Sequence, residues 1–295
     1  MSNHIRPNGP KPSRLTPERI GIYVFLIAAA LFFLLPLFVM LATSLKTMDE
    51  VRLGQIFELP RQFDIGAWST AWSGACQGIE CVGVRSGFWN SVKITVPAVT
   101  LSVFLGALNG YALSFWRSSS SRILFALLMA GGLIPYQIFL YPLVRIMANL
   151  ELYNSLAGIV LVHVIFGLPL VTLLFRNYFV NIPEELCRAA RVDGAGFWRI
   201  FFEIMLPLST PMIVVASLFQ FTGIWNDFLL GLVFAGRDNL PMTVQLNNIV
   251  NTTMGERAYN VNMAATILTA LVPLAIYFFS GRWFVRGIAA GAVKG

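Results

Sequence analysis

Catalysis needs a nucleophile, a base or a metal at workable spacing, and this 295-residue chain offers few of them. His4 and His163 are its only histidines, and His163 lies inside a long apolar stretch, where pairing with a neighbouring helix is the expected use. No Gly-x-x-x-x-Gly-Lys-Ser/Thr phosphate loop occurs, and no lysine directly follows a glycine. Cys76 and Cys81 stand as Cys-Gln-Gly-Ile-Glu-Cys. An oxidising compartment would permit a disulfide between them, whereas two thiols without nearby histidines make a poor metal site. Cys187 stands alone and reads as a reduced thiol. These residues predict no enzyme activity, no metal and no cofactor.

The apolar stretches carry amides instead of charges: Asn109, Gln137, Gln220 and, at their rims, Asn226 and Asn262. Amides suit hydrogen bonding to a neutral, hydroxyl-rich solute, and they serve equally well to join helices. Gln137, Gln220 and Asn226 are the candidates for a substrate path. Ion-coupled carriers commonly place Asp, Glu or Arg in the membrane, and the stretches here have none. An energy source outside the chain is the expectation.

The elements that must position these groups follow from composition. Hydrophobic residues make up 57% of the chain and charged ones only 12%, about half the usual charged share, which excludes an ordinary soluble domain. Six uncharged stretches stand out: Ile20–Ala42, Ile94–Trp116, Ile123–Val144, Leu156–Phe175, Leu208–Asn226 and Val261–Gly281. The shortest has 19 residues and the longest 23, and a helix needs about 20 to cross a bilayer. The fold class is therefore all-α, a polytopic membrane protein of six helices. The first stretch is too long for a signal peptide, and Thr16-Pro17-Glu18 reads as a helix start, so it is retained as a span. Every stretch holds a proline, among them Pro36, Pro97, Pro135, Pro169 and Pro273, which predicts kinked helices. Gly106-x-x-x-Gly110 in the second predicts a close helix contact.

Loop charge sets the orientation. Lys and Arg divide 13 to 8 in favour of the side that bears both termini, and acids divide 5 to 9. By the positive-inside rule both termini are cytoplasmic. The net charge of +7 is thus a topology signature, and no basic run interleaved with aromatics calls for nucleic acid. The chain divides into a cytoplasmic segment 1–19, a membrane domain 20–281 and a cytoplasmic tail 282–295. Within the membrane domain, loop 43–93 is periplasmic and loop 176–207 cytoplasmic.

Residues 181–207 are the most informative segment. Asn181, Pro183, Glu184 and Glu185 predict the start of a short helix, with Leu186, Ala189 and Ala190 as its apolar face. Asp193-Gly194 is a stop signal, with glycine free to adopt the left-handed conformation. A second helix over Phe197–Met205 carries Arg199 and Glu203 at i, i+4 and a face of Phe197, Trp198, Phe201 and Phe202. That face is too apolar for water, so a partner is expected to cover it. Pro207 then turns the chain into the fifth span.

Here the sequence resembles a known family. Ala189-Ala190-x-x-x-Gly194, nine residues, then Ile204-x-Leu206-Pro207 is similar to the cytoplasmic coupling loop of permease subunits in bacterial binding-protein-dependent ABC importers. Ile182-Pro183-Glu184-Glu185-Leu186, Gly132-Leu133-Ile134-Pro135, Trp225-Asn226-Asp227-Phe228 and the tail from Phe284 to Gly295 resemble the carbohydrate-uptake branch, of maltose type. The cysteine-bearing outer loop resembles that of glucose/mannose permeases. One position departs from the pattern: the glutamate of the family motif falls on Arg188, which leaves its polar contact to be supplied elsewhere, with Glu184 or Glu185 one turn earlier.

The resemblance implies a type I importer permease bundle in the bacterial inner membrane. It implies pairing with a second permease in a heterodimer, two ATPase subunits and a periplasmic sugar-binding protein. Glu185, Arg188, Ala189, Ala190, Asp193, Gly194, Leu206 and Pro207 would couple the path to the ATPases, and Val293, Lys294 and Gly295 in the tail would touch them too. A basic tail lying on anionic lipid is the plainer use of those last residues. The competing functions are an ion-coupled secondary carrier and an importer permease for a solute other than sugar.

Overall fold

The computed structural model describes residues 16–78, 80–115, 118–251 and 257–292, the last with side chains as far as 280. His4 and the tail residues Val293, Lys294 and Gly295 lie outside the described residues. Helix α1 (Pro17–Ser44) starts as its sequence predicts: the Thr16 hydroxyl accepts the Arg19 N–H at 3.4 Å, and proline occupies the first turn. Short helices α2 (Met48–Arg52) and α3 (Gly66–Ser73) follow, then a hairpin of β1 (Cys76–Gln77) and β2 (Glu80–Cys81). Cys76 pairs with Cys81 across the hairpin and is joined to it by a disulfide. Helix α4 (Arg85–Phe115) begins nine residues before the apolar stretch it contains, so Arg85 and Lys93 are helical.

The third stretch is not one helix. Helices α5 (Ser119–Leu133) and α6 (Leu140–Asn149), with a 3-10 turn over Tyr136–Phe139 leading into α6, meet at a 94° bend. Pro135 sits in that break; a residue before proline is driven out of the helical region, and Ile134 is extended (φ −75°, ψ 130°). Helix α7 (Leu156–Val180) then runs straight through Pro169 and is followed by α8 (Glu184–Val192). Next come α9 (Phe197–Ile200), a wide π turn over Phe201–Met205 and α10 (Leu206–Leu208). A second bend, of 77°, separates this segment from α11 (Thr210–Trp225). The chain finishes with α12 (Leu229–Phe234), α13 (Met242–Val250) and α14 (Tyr259–Ala292). Four helices among the described residues are long and apolar enough to cross a membrane, and six spans result if each bent pair is one. Pro36, Pro97, Pro169 and Pro273 are accommodated inside continuous helices, so only two of the six stretches break.

The centre of the bundle is the α4–α7 contact. A β-carbon at Gly106 would collide with the Val171 side chain, and one at Gly110 would lie 2.7 Å from both Phe175 Cβ and Arg176 N. Glycine here lets two backbones approach as no larger residue would, as the Gly-x-x-x-Gly spacing predicts. Three buried clusters surround this axis. One joins α4 and α7 to α8–α10 through Tyr111, Phe175, Phe179, Phe201 and Met205. A second joins them to α6 and α12, and a third packs α3, α11, α13 and α14 around Trp225. Trp225 stacks on Phe221 with ring centroids 5.5 Å apart and donates its indole N–H to Thr269 O on α14 at 3.3 Å.

Candidate functional site: the loop under α4 and α7

Helix α8 leaves α7 after one turn of chain. Asn181 does not cap it; its amide nitrogen donates back to Asn177 O on α7 at 2.7 Å, and Pro183 occupies the cap position without a side-chain bond. The reason is geometric: α7 runs to Val180, so Asn181 still belongs to its C-terminal end. Glu184 and Glu185 lie in the first turn, where the helix dipole favours them. The far end is closed by a Schellman motif. Ala195 N–H reaches Ala190 O at 2.9 Å, Gly194 N–H reaches Arg191 O at 3.0 Å, and Gly194 takes φ +82°.

The inward face of α8 is Cys187 and Ala190, both buried, rather than Leu186, Ala189 and Ala190. Ala189 is exposed, and Leu186 and Val192 are 45% and 87% exposed, so an apolar stripe at i, i+3, i+6 faces away from the chain. Cys187 Sγ packs 3.8 Å from Met205 Sδ, and burial pushes its thiol pKa up. Arg188 pairs with Glu184 at 3.2 Å, and Asp193 and Glu185 are exposed beside the stripe. Glu184 therefore offsets the charge at the departing motif position within the helix itself.

Arg188→Glu would set two carboxylates one turn apart, and like charges at i, i+4 cost about 0.2–0.5 kcal/mol on a helix surface. Uptake by that variant is expected to stay within about twofold of wild type, since about 0.4 kcal/mol is a factor of two. Loss of uptake at normal membrane abundance would instead place an acidic group of the partner against Arg188.

The aromatic face of the second helix divides. Phe201 is fully buried inside the chain, while Phe197, Trp198 and Phe202 remain 45–56% exposed. Tyr111 of α4 is the reason: its ring lies 4.7 Å from Phe197 and 5.5 Å from Phe201, and its hydroxyl donates to Phe197 O at 3.4 Å. Phe104, two turns earlier on α4, stacks on Phe202 at 6.4 Å. Tyr178 of α7 donates to Leu208 O at 2.8 Å and ties down the other end. These anchors were missed in the sequence, although Phe104, Leu108, Tyr111 and Phe115 fall at i, i+4, i+7 and i+11 on one face of α4. Arg199 and Glu203 form the expected i, i+4 pair at 2.9 Å.

Leu206 N–H bonds to Phe201 O, five residues back, and this widened turn makes room before Pro207, whose ring would clash with the fourth carbonyl back. The bend into α11 falls at Ser209 rather than at Pro207, and the Ser209 hydroxyl there donates to Leu206 O at 2.9 Å.

The three path candidates do not face one space. Gln220 is buried and so close to α7 that a β-carbon at Gly167 would strike its amide; its Nε2 has no hydrogen-bond partner among the described residues. Gln137 is exposed on the 3-10 turn of the elbow, and Asn226 is exposed at the end of α11. One subunit thus does not assemble them around a solute. Asn226 instead continues an exposed stripe of Phe219, Thr222 and Gly223 along α11. The next residue, Asp227, caps α12, accepting the Gly231 N–H at 2.9 Å, and its carbonyl accepts the Thr243 hydroxyl at 2.6 Å. Burial raises its carboxyl pKa, the two backbone N–H bonds opposing the shift. An acid just ahead of the apolar run 228–234 was a legible cap signal that the sequence reading did not use.

Residues 98–290 match the family described as the inner membrane component of binding-protein-dependent transport systems. The chain belongs to that family. It is 37% identical over 286 residues to a probable ABC transporter permease protein of Pyrococcus horikoshii, covering 96% of this chain and 99% of that one. It is 30% identical over 282 residues to a glucose import system permease protein of Saccharolobus solfataricus, covering 92% and 95%. The fold matches a bacterial ABC transporter involved in import of the acidic polysaccharide alginate, with a TM-score of 0.74 and 22% identity over 92% of this chain and 99% of that one. As a permease subunit of an ABC importer, the chain spans the inner membrane several times and forms part of the translocation path. The ATPase resides in separate subunits, and the family works with a second permease and a binding protein.

Proposed function

We propose that this permease passes a sugar, driven by ATP through the 181–207 loop, with both of its termini in the cytoplasm. The observation that carries the coupling role is the loop's construction. Cys187, Ala190 and Phe201 fix it to the bundle, and among the described residues Leu186, Ala189 and Val192 face outward and stay exposed. Leu206 and Pro207 lie in the short helix just before the bend into α11, and Glu185, Arg188, Asp193 and Gly194 rim the docking face. Val293, Lys294 and Gly295 would add a second ATPase contact.

Sugar is supported by the uncharged, amide-bearing spans and by the glucose import system relative. Because Asn226 and its stripe lie on the outside of the subunit, the path would run between this permease and a second, different one. Asn226 and Gln137 would meet solute there, and Gln220 would hold α11 to α7. ATP-driven alternation requires the two access states to differ in affinity for ATP and for the loaded binding protein.

The test is uptake of radiolabelled glucose into vesicles carrying the whole importer with its binding protein. ATP inside the vesicle should be required and an ion gradient dispensable, and Asn226→Ala should cut uptake about tenfold, the loss of one to two hydrogen bonds. Uptake driven by an ion gradient without ATP would sink the coupling role. ATP-driven uptake of amino acids but not of glucose would sink the sugar assignment alone.

A further inference from the structure

The ends of α4, α5 and α7 nearest the coupling loop enclose a cleft of about 520 Å³ that the transport cycle described above does not use. Two arginines line it, Arg122 from α5 and Arg176 from α7. The Arg176 guanidinium carbon lies 4.2 Å over the centre of the Phe125 ring, and Phe125 is one turn beyond Arg122 on α5. This contact fixes the plane of the fork. Arg176 Nε is buried and has no hydrogen-bond partner among the described residues. Arg122 reaches only the Ser119 hydroxyl, at 3.2 Å, among the bonds described. The carboxylate on the same wall, Glu184, is engaged with Arg188 at 3.2 Å.

Arginine stays protonated, so two guanidiniums share a recess whose acid is already paired. A buried N–H left unbonded costs as much as a lost hydrogen bond, and a phosphate oxygen would supply the missing acceptor in the fork geometry arginine favours. The remaining walls include Leu113, Phe115, Phe179 and Val180, which suit hydrocarbon and not a fully hydrated ion. Basic pockets between membrane helices are a kind of site that anionic headgroups bind.

We propose that this cleft holds the phosphate of an anionic phospholipid, with Arg122 and Arg176 on the phosphate and an acyl chain along the apolar wall. Ile182 and Glu184, at the root of α8, form part of the cleft, so an occupied site braces the coupling helix against α5 and α7. That the lipid comes from the inner leaflet rests on the topology proposed above; the binding itself does not.

The experiment is native mass spectrometry of the assembled importer titrated with phosphatidylglycerol, phosphatidylcholine or inorganic phosphate. Phosphatidylglycerol should bind about tenfold more tightly than phosphatidylcholine, and Arg122→Gln with Arg176→Gln should erase that preference. A large excess of inorganic phosphate should fail to displace the lipid. Equal phosphatidylglycerol binding by wild type and the double variant would overturn the proposal. Displacement by inorganic phosphate would overturn the lipid assignment in favour of a free anion. Should the double variant fail to assemble, Phe125→Leu frees Arg176 without removing charge. It is expected to weaken phosphatidylglycerol binding several-fold, and unchanged binding would again overturn the site. An inverted topology would leave these affinities as they are and show only as labelling of residues 184–195 from the opposite face of the membrane.

Discussion

Replacing Gly194 by tryptophan is expected to abolish uptake and strip the ATPase subunits from the purified permease, while the permease still accumulates in the membrane. Within the chain the cost is limited. Gly194 has φ +82°, which an ordinary side chain adopts at about 1–2 kcal/mol, but a β-carbon there meets nothing within 4 Å. The indole would project from the end of α8 into the open space where the proposed partner would dock. Two controls separate conformation from bulk. Gly194→Asn retains a residue that tolerates the left-handed region, and Gly194→Ala carries the strain with only a methyl group. Both should keep most ATPase co-purification, whereas tryptophan should lower it by at least about tenfold, the equivalent of 1.4 kcal/mol of lost binding. ATPase recovery at wild-type level with the tryptophan variant would remove α8 as the docking element.

Gly110→Leu should fail differently, at the level of the fold. The α4–α7 axis leaves no room there, because the obstructing atoms are Phe175 Cβ and the backbone nitrogen of Arg176, each 2.7 Å from an added β-carbon. Overpacking a tight site costs about 1–3 kcal/mol even when neighbours can shift, and backbone shifts less readily than a side chain. Tyr111 is the next residue, so forcing α4 off α7 also unseats the ring under Phe197 and Phe201. Both membrane abundance and melting temperature should fall, with coupling lost in whatever protein remains. Thermal unfolding of the purified importer measures this, and a wild-type melting curve would mean that the two helices are not in the contact described.

Much of this arrangement was legible in the residues, for identifiable reasons. The six apolar stretches had to be helices because lipid offers the backbone no other partner, and Gly106 and Gly110 announced a close crossing by their spacing. Gly194 was legible because few other residues end a helix in the left-handed conformation. The elbow at Pro135 was not separable from Pro97 and Pro169, which lie inside continuous helices, because a membrane helix tolerates proline and only Ile134's extended backbone marks the break. The burial of Phe201 was illegible because it depends on Tyr111, 90 residues earlier, and local periodicity carries no record of such a pairing. For the same reason the apolar face of α8 was assigned to Leu186, Ala189 and Ala190 together. Ala189 and Ala190 are identical in type, and only packing against α7 and the π turn decides that Ala190 and Cys187 turn inward.

The widened turn at Phe201–Met205 bears on how load travels through the subunit. If α8 is the docking element proposed above, a push on it would enter the bundle through Cys187, Ala190 and Phe201 and so reach α4 and α7, which the glycine contact packs tightly together. The spans on either side are broken, at 94° and 77°, where no continuous helix carries a load across. The wide turn stands between the anchored end of the loop and the 77° joint, with one residue more per turn than the helix around it. A displacement arriving there can be taken up as rotation of α11 about its own axis, carrying Asn226 with it, before the α4–α7 pair itself has to bend.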